Sequence, residues 1–541
     1  MNGRGGKLSG RSLPPTVLEN AKIFLPGGEV RWGSLAWMED RIVAIGPDHE
    51  VSRKAGPEAK RVNLEGALVL PGLWDCHTHM LYGALQGARL DLRNIKSKEE
   101  LRRAIAQWIR VNPQEPWVVG VGWDETSWGG ELPKKEWVDD ITGSRPLFLI
   151  RYDMHSALAN SRALQMAGIG RDTEDPPGGK IVRDPDGGEP TGWLLERAMD
   201  LVERLVPAVG HEKKAELLEK ALEEASSLGL VGLNDILFDL EDIEIYRTVY
   251  ARAGDLPRVF LTIPMEELSR FALVQERELP DGVKVYGLKA FLDGSLGSRS
   301  AWLGEPYLHL GDYRGVSWIS DWKGFKELVL EAARSGIPIS LHAIGDEAIA
   351  RALEVYWEVI RGEMGKGPLR IEHFQHPSPH QIEAMDHPRL VASMQPIHMR
   401  FDAPIAEEVL GPQRARWSFP IRSLLGRKCA IVFGSDWPVA PLNPLLGIQA
   451  AVERVDQDMK WPNGWIPEER IDIVQALECY TCNPTRVMGI RRAGQLREGF
   501  LADLTVVEED ITACEPRALS QSKVLMTVVG GKVVYQNLGP V

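Results

Sequence analysis

Eight apolar runs of strand length recur between residues 68 and 438, and no other feature narrows the choice of fold so far. They are LVLPGLWDCHTH, LVGLNDI (230–236), RVFLTIP (258–264), VYGLKAFLDG (285–294), PISLHAIGD (338–346), LRIEHFQH (369–376), LVASMQP (390–396) and CAIVFGSDWP (429–438). Helical patterns lie between several of them. HEKKAELLEKALEEASSLG precedes the second run and FKELVLEAARSG the fifth, each with apolar residues at helical spacing and a glycine as the stop. Strands alternating with helices give an α/β fold with a parallel sheet. Eight of them specify a (β/α)8 barrel of the TIM type better than an open sheet.

The count works only if roughly residues 85–207 are set aside as an insertion after the first strand. That stretch has its own strand-like pieces, WVVGVGWDE and LFLIRYDMHS, and a hairpin pattern, KIVRDPDGGEPTGWLLE, with a Pro-Asp-Gly-Gly turn. It is too long for an ordinary connection between strand and helix. Its expected place is over the C-terminal mouth of the barrel, as a lid. Residues 16–66 and 494–541 read as short strands broken by turns, which predicts one small β-sandwich domain built from both ends of the chain. The barrel then occupies residues 67–493, and residues 1–15 read as a loose tail.

The composition fits a large soluble globular core: of 541 residues, 44% are hydrophobic and 26% charged. A net charge of -13 leaves no basic footprint, which argues against nucleic acid or an anionic membrane as partner and leaves small molecules. Five scattered cysteines do not make a disulfide framework and suit a reducing cytoplasm. No apolar run is long enough to span a bilayer.

The chemistry stands at the strand ends. In DCHTH, His77 and His79 share one face of the first strand, while Cys76 and Thr78 take the other. The fourth run carries Lys289, the fifth His342, the sixth His373 and the eighth Asp436, each towards the C-terminal end of the apolar stretch. If the barrel closes, all six meet at one mouth. One such histidine is commonly a core or loop residue, and one Asp after Gly-Ser a helix cap; six in barrel order point to a metal site. Imidazole and carboxylate suit zinc, and also iron, manganese or nickel. An ammonium has no lone pair for a metal, so Lys289 is either paired with a carboxylate such as Asp293 or carboxylated by carbon dioxide into an anionic bridge. Cys479 and Cys482 form a CxxC without a second pair, in a helical context, and read as packing.

PGLWDCHTH, the strand-borne Lys289, LHAIGD, RIEHFQ, SMQP and GSDWPV, followed by ALECYTCNPTRVMGI and REGFLADLTVV, resemble the amidohydrolase superfamily. The resemblance is nearest to the branch that includes N-substituted formamide deformylases and many metal-dependent hydrolases, and it runs from about Leu18 to Tyr535. It implies that His77, His79 and Asp436 bind one metal, that His342 and His373 bind a second, and that carboxylated Lys289 bridges two zinc ions. It also implies hydrolysis of a carbon–nitrogen bond of a small amide, with Asp436 as proton shuttle. Cys76, where relatives often carry Ser, faces away from the site; Met154, where a smaller residue is usual, can reshape the pocket. His155, Trp123 and Gln395 are the candidate substrate contacts, and the 17 tryptophans hint at an apolar or aromatic substrate. A homo-oligomer is compatible with this reading. Two others stay open: a single-metal deaminase on the same barrel, and a non-catalytic scaffold.

Overall fold

The computed structural model describes residues 14–87 and 89–538, so the expected loose tail, residues 1–15, lies outside the described residues except for its last two positions. The apolar runs become eight parallel strands: β1 (Leu73–Thr78), β2 (Leu230–Ile236), β3 (Arg258–Pro264), β4 (Val283–Phe291), β5 (Ile339–Ala343), β6 (Leu369–His373), β7 (Leu390–Met394) and β8 (Ala430–Phe433). Each pairs in parallel with the next in chain order. Helices cover the outside, among them His211–Ser227 before β2 and Trp322–Arg334 before β5. With side chains packed on both faces, β5 and β7 are buried at every position, which is why these runs show no alternation in the sequence.

The ring is nearly closed. Between β8 and β1 the described residues form an isolated bridge, Thr78 to Trp437, rather than a ladder. The seam is held from beyond the strand ends: Asp436 N–H donates to His77 O at 2.7 Å and His79 N–H to Trp437 O at 2.8 Å. The Asp75 carboxylate accepts Ser435 N–H at 3.0 and 3.1 Å. Gly434 permits this approach, because a Cβ there would lie 2.6 Å from His77 N.

LVLPGLWDCHTH is not one strand. It divides at Gly72, with Leu68–Pro71 in the sheet of the chain ends and Leu73–Thr78 in the barrel. A Cβ on Gly72 would come within 2.4 Å of the Val231 side chain, so the crossing point is packed directly on β2. Leu68–Pro71 also joins the two ends of the chain, pairing with Thr16–Phe24 on one side and Leu504–Val507 on the other. The result is one connected sheet of eight strands drawn from both termini.

The insertion carries a separate six-stranded sheet, in the order Gly179–Arg183, Pro190–Glu196, Ser156–Ala159, Leu147–Arg151, Val118–Trp123 and Leu90–Asp91. The expected hairpin is its first two strands. Phe148 and Ile150 enter an apolar cluster on one face, and Leu147 and Leu149 a second cluster on the other, so this sheet too has a core on both sides.

Candidate metal centre

β1 ends in His77 and His79, with Asp436 placed against both across the seam. Asp436 Oδ1 lies 3.3 Å from His77 Nε2 and 3.2 Å from His79 Nε2. The other nitrogen of each ring is held: His77 Nδ1 donates to Glu372 Oε2 at 2.7 Å, and His79 Nδ1 to Ile236 O at 3.1 Å. These bonds fix the ring orientations and leave both Nε2 atoms as the ones available to an ion. The backbone at Asp436 is left-handed, φ 59°, as is that at His373, φ 75°. Strain of this kind is kept only where surrounding packing over-determines the geometry.

His373 joins the same cluster, with its ring centroid 4.9 Å from that of His77 and 4.4 Å from that of His342. His342 Nε2 donates to Gly294 O at 3.3 Å, which leaves Nδ1. Lys289 is buried with its ammonium 4.7 Å from the centre of the Phe291 ring. The structure therefore brings together His77, His79, His342, His373 and Asp436 at the barrel mouth, with Lys289 on the neighbouring strand β4.

The donor set fits divalent transition ions. Among the described residues, His77 Nε2, His342 Nδ1, His373 Nδ1, Lys289 Nζ and Asp436 Oδ1 are buried and lack a hydrogen-bond partner. Buried polar atoms are ordinarily satisfied, because leaving one bare costs about 1–3 kcal/mol. Four of them, three imidazole nitrogens and one carboxylate oxygen, are of types that suit zinc, iron or manganese, and with Lys289 beside them they mark a site built around something else. His77, His79 and Asp436 offer ligand atoms within 4.8 Å of one another, and so do His373, His398 and Asp436.

The pairing of Lys289 with Asp293 is not found. Asp293 accepts backbone N–H groups of Trp302, Ile344 and Gly345 at 2.9, 3.0 and 2.8 Å, which leaves the lysine without a carboxylate partner. Burial pushes the Lys289 ammonium down to about 8. For Asp436, burial alone would raise the pKa, but His77 and His79 beside it hold it well below the ordinary carboxylate value.

Two features escaped the sequence reading. His398, four residues beyond the end of β7, places Nε2 3.8 Å from Asp436 Oδ2. Its Nδ1 accepts from Gln375 Nε2 at 3.2 Å and its Nε2 donates to Ser435 O at 3.3 Å, so both nitrogens are engaged and it stands beside the ligands rather than among them. Beneath them lies Glu372, bound to fully buried Arg370 at 2.8 Å. The signal was present in LRIEH: Arg370 and Glu372 are alternate residues of an apolar strand and so share a face.

The substrate candidates separate. His155 lines a small cavity of about 30 Å³ with Asp153, His373, Gln375, His398 and Asp436. Its Nδ1 donates to Glu196 Oε2 at 2.9 Å. Burial works against the charged form of His155, but the Glu196 carboxylate outweighs it and raises the pKa to about 9. Met154 borders a larger cavity of about 680 Å³, with Lys289, Phe291, Phe238 and Trp318. Trp123 is corrected: it packs in the insertion's own core, its indole N–H donating to Leu149 O at 2.8 Å, and it lines neither cavity. Gln395 lines neither cavity as well; it is buried just beyond β7, donating to Ser393 O at 3.3 Å. Cys76 packs with Trp74 and Val231 in a buried cluster, and Cys479 is core, with all five cysteines free. No helix among the described residues is long and apolar enough to cross a membrane.

Comparison with known proteins adds a family. Residues 60–535 match the family model described as "Amidohydrolase family". The chain is 35% identical to Protein LONG AFTER FAR-RED 3 of Arabidopsis thaliana, over 96% of this chain and 91% of that one. It is 27% identical to the N-substituted formamide deformylase of Arthrobacter pascens, over 92% and 94%. Among solved structures, an uncharacterized metal-dependent hydrolase from Pyrococcus furiosus superposes with a TM-score of 0.71 at 25% identity, covering 92% of this chain and all of that one.

Proposed function

Because this chain belongs to the amidohydrolase family, we propose that it is a metal-dependent hydrolase of an amide-type carbon–nitrogen bond in a small molecule. The observation that carries this reading is the set of bare, buried imidazole and carboxylate atoms converging on the barrel mouth. The family and its structural neighbours support metal-dependent hydrolysis as the class of chemistry; the formamide deformylase likeness favours the amide bond.

His77, His79 and Asp436 would hold one divalent ion, His342 and His373 a second, and Lys289 would bridge them once carboxylated. Carboxylation needs a neutral amine, and an ammonium pushed down to about 8 by burial supplies one far more often than an exposed lysine does. Ions held there, zinc in our reading, supply a Lewis acid that polarises a carbonyl and makes water a nucleophile near neutral pH. The chain's own part is proton handling and positioning. Asp436 takes the proton of the attacking water and delivers it to the departing nitrogen, so that bond cleavage releases a neutral amine. Glu372 keeps His77 in one tautomer. The larger cavity, walled by Phe238, Phe291 and Trp318, accommodates an apolar or aromatic substituent of the substrate.

Metal-reconstituted protein should be screened against N-substituted formamides and other small amides, with metal content measured on the same sample. Turnover with two ions per chain supports the reading. Full loading with no amide turned over refutes the amide assignment, and one ion per chain with ring deamination would move the protein to the mononuclear alternative.

A further inference from the structure

Glu196 ends the insertion's hairpin, 41 positions from His155, yet the two side chains are locked together at the barrel mouth. His155 Nδ1 donates to Glu196 Oε2 at 2.9 Å, and Glu196 N–H donates to His155 O at 3.0 Å. Trp318 Nε1 donates to the same Oε2 at 3.0 Å, so the carboxylate is pinned from two sides. The Glu196 side chain is wholly enclosed, whereas that of His155 keeps 15% of its surface open. Both come from costly backbone: φ is 53° at Glu196 and 64° at Met154, immediately before His155. Gly294, in the loop after β4, leaves the slot for Glu196, since a Cβ there would fall 1.8 Å from Glu196 Oε1.

With Nδ1–H given to Glu196, the ring offers a second N–H at Nε2 only as an imidazolium, the form that an enclosed carboxylate partner favours. His155 lines the small cavity with Asp436 and His373, while Glu196, Met154 and Trp318 line the larger one, so the pair stands in the wall between them. We propose that Glu196 is a positioning residue which fixes the His155 imidazole so that its Nε2 hydrogen-bonds the carbonyl oxygen of the substrate. No proton is transferred; a donor held rigidly at that oxygen stabilises the charge it gains when water adds to the carbonyl. This rests on the amide-hydrolase reading.

The test is a double-mutant cycle on the metal-loaded full-length protein, using the best amide of the screen, with metal content and circular dichroism checked for every variant. Glu196→Ala and His155→Ala are each expected to lower kcat about 100-fold with little change in KM, and the double variant to lose no more than His155→Ala alone. Glu196→Gln, whose amide oxygen still accepts from Nδ1–H but does not favour a charged ring, should recover part of the rate. Additive losses, a loss confined to KM, or a Glu196→Ala variant as fast as the parent would overturn the proposal. If the parent turns over no amide, the functional reading fails, and acetate binding then reads the pair separately. Both alanine variants should weaken acetate about tenfold at unchanged metal content, and unchanged acetate affinity would overturn it.

Discussion

Arg370 and Arg151 both have guanidinium groups with no surface exposure, and both are paired with carboxylates, but their partners are drawn from different kinds of neighbourhood. Arg370 donates to Glu372 on its own strand β6 at 2.8 Å, to Asn234 on β2 at 2.7 Å, to the carbonyl of Cys76 on β1 at 2.7 Å, and to Ser393 on β7 at 3.0 Å. Those strands are already laddered within one sheet. Arg151 donates twice to Glu125, at 2.8 and 3.0 Å, and to Asp153 at 2.7 Å, all within the insertion. Of these two partners Asp153 is the one that reaches the barrel, accepting the hydroxyls of Ser295 and Ser298. One arginine braces a ring that backbone bonds also hold. The other secures a join between two sheets that share no ladder. A site can thus have a stiff floor of ligands and a roof whose placement depends on a few side-chain bonds.

The largest effect is expected from Arg370→Met. It strands the Glu372 carboxylate and the Asn234 and Ser393 side chains, and breaking a buried pair this way costs about 3–5 kcal/mol. Urea denaturation should show the loss, together with reduced metal content because His77 loses its oriented partner; a parent-like midpoint would remove Arg370 from the comparison. Asp436→Asn should come next, lowering kcat by about 10²–10⁴-fold while the fold survives, and near-normal turnover would refute its role as proton shuttle.

Arg151→Met should act locally. Hydrogen exchange is expected to accelerate in residues 118–159 while β5 to β7 keep their protection, and equal acceleration in both would break the contrast. Acid sharpens it further. Burial alone would raise Glu372 and Asp153, but Arg370 and Arg151 hold each below the ordinary carboxylate value. A folded pKa below the unfolded one gives stability that is present above about pH 4 and lost as pH falls through the lowered folded value. In Arg151→Met, exchange in the insertion should therefore begin to rise at a higher pH than in the parent. Ser298→Ala is the smallest test: Asp153 keeps Arg151 and Ser295, so about 1 kcal/mol or less should be lost.

The barrel was legible because each strand is a continuous apolar run with a polar residue at one end, a pattern that sequence shows directly. Its first boundary was misread, since LVLPGLW is apolar throughout and only the packing of Gly72 on Val231 divides it between two sheets. His77, His79, His342, His373, Lys289 and Asp436 stood at strand ends in order and could be read as one mouth. His398 and Glu196 could not, because each reaches its partner through a loop or hairpin whose path the local sequence does not specify. Trp123, in a strand-like piece of the insertion, was offered as a substrate contact; a register shift between Val121 and Trp123 breaks the alternation and turns it into the insertion's core.

The unlaced edge between the eighth strand and the first has a consequence for how this molecule comes to work. Asp436 and His77 are tied there by one of the backbone bonds that shut the ring, so their half of the centre is complete only when the seam is, whereas His342 and His373 stand on strands paired away from it. Competence and completion arrive in one event, joining residues about as distant in the sequence as the barrel allows. Turnover is then an assay of ring closure, and damage that springs the ring would silence the protein before it melted it.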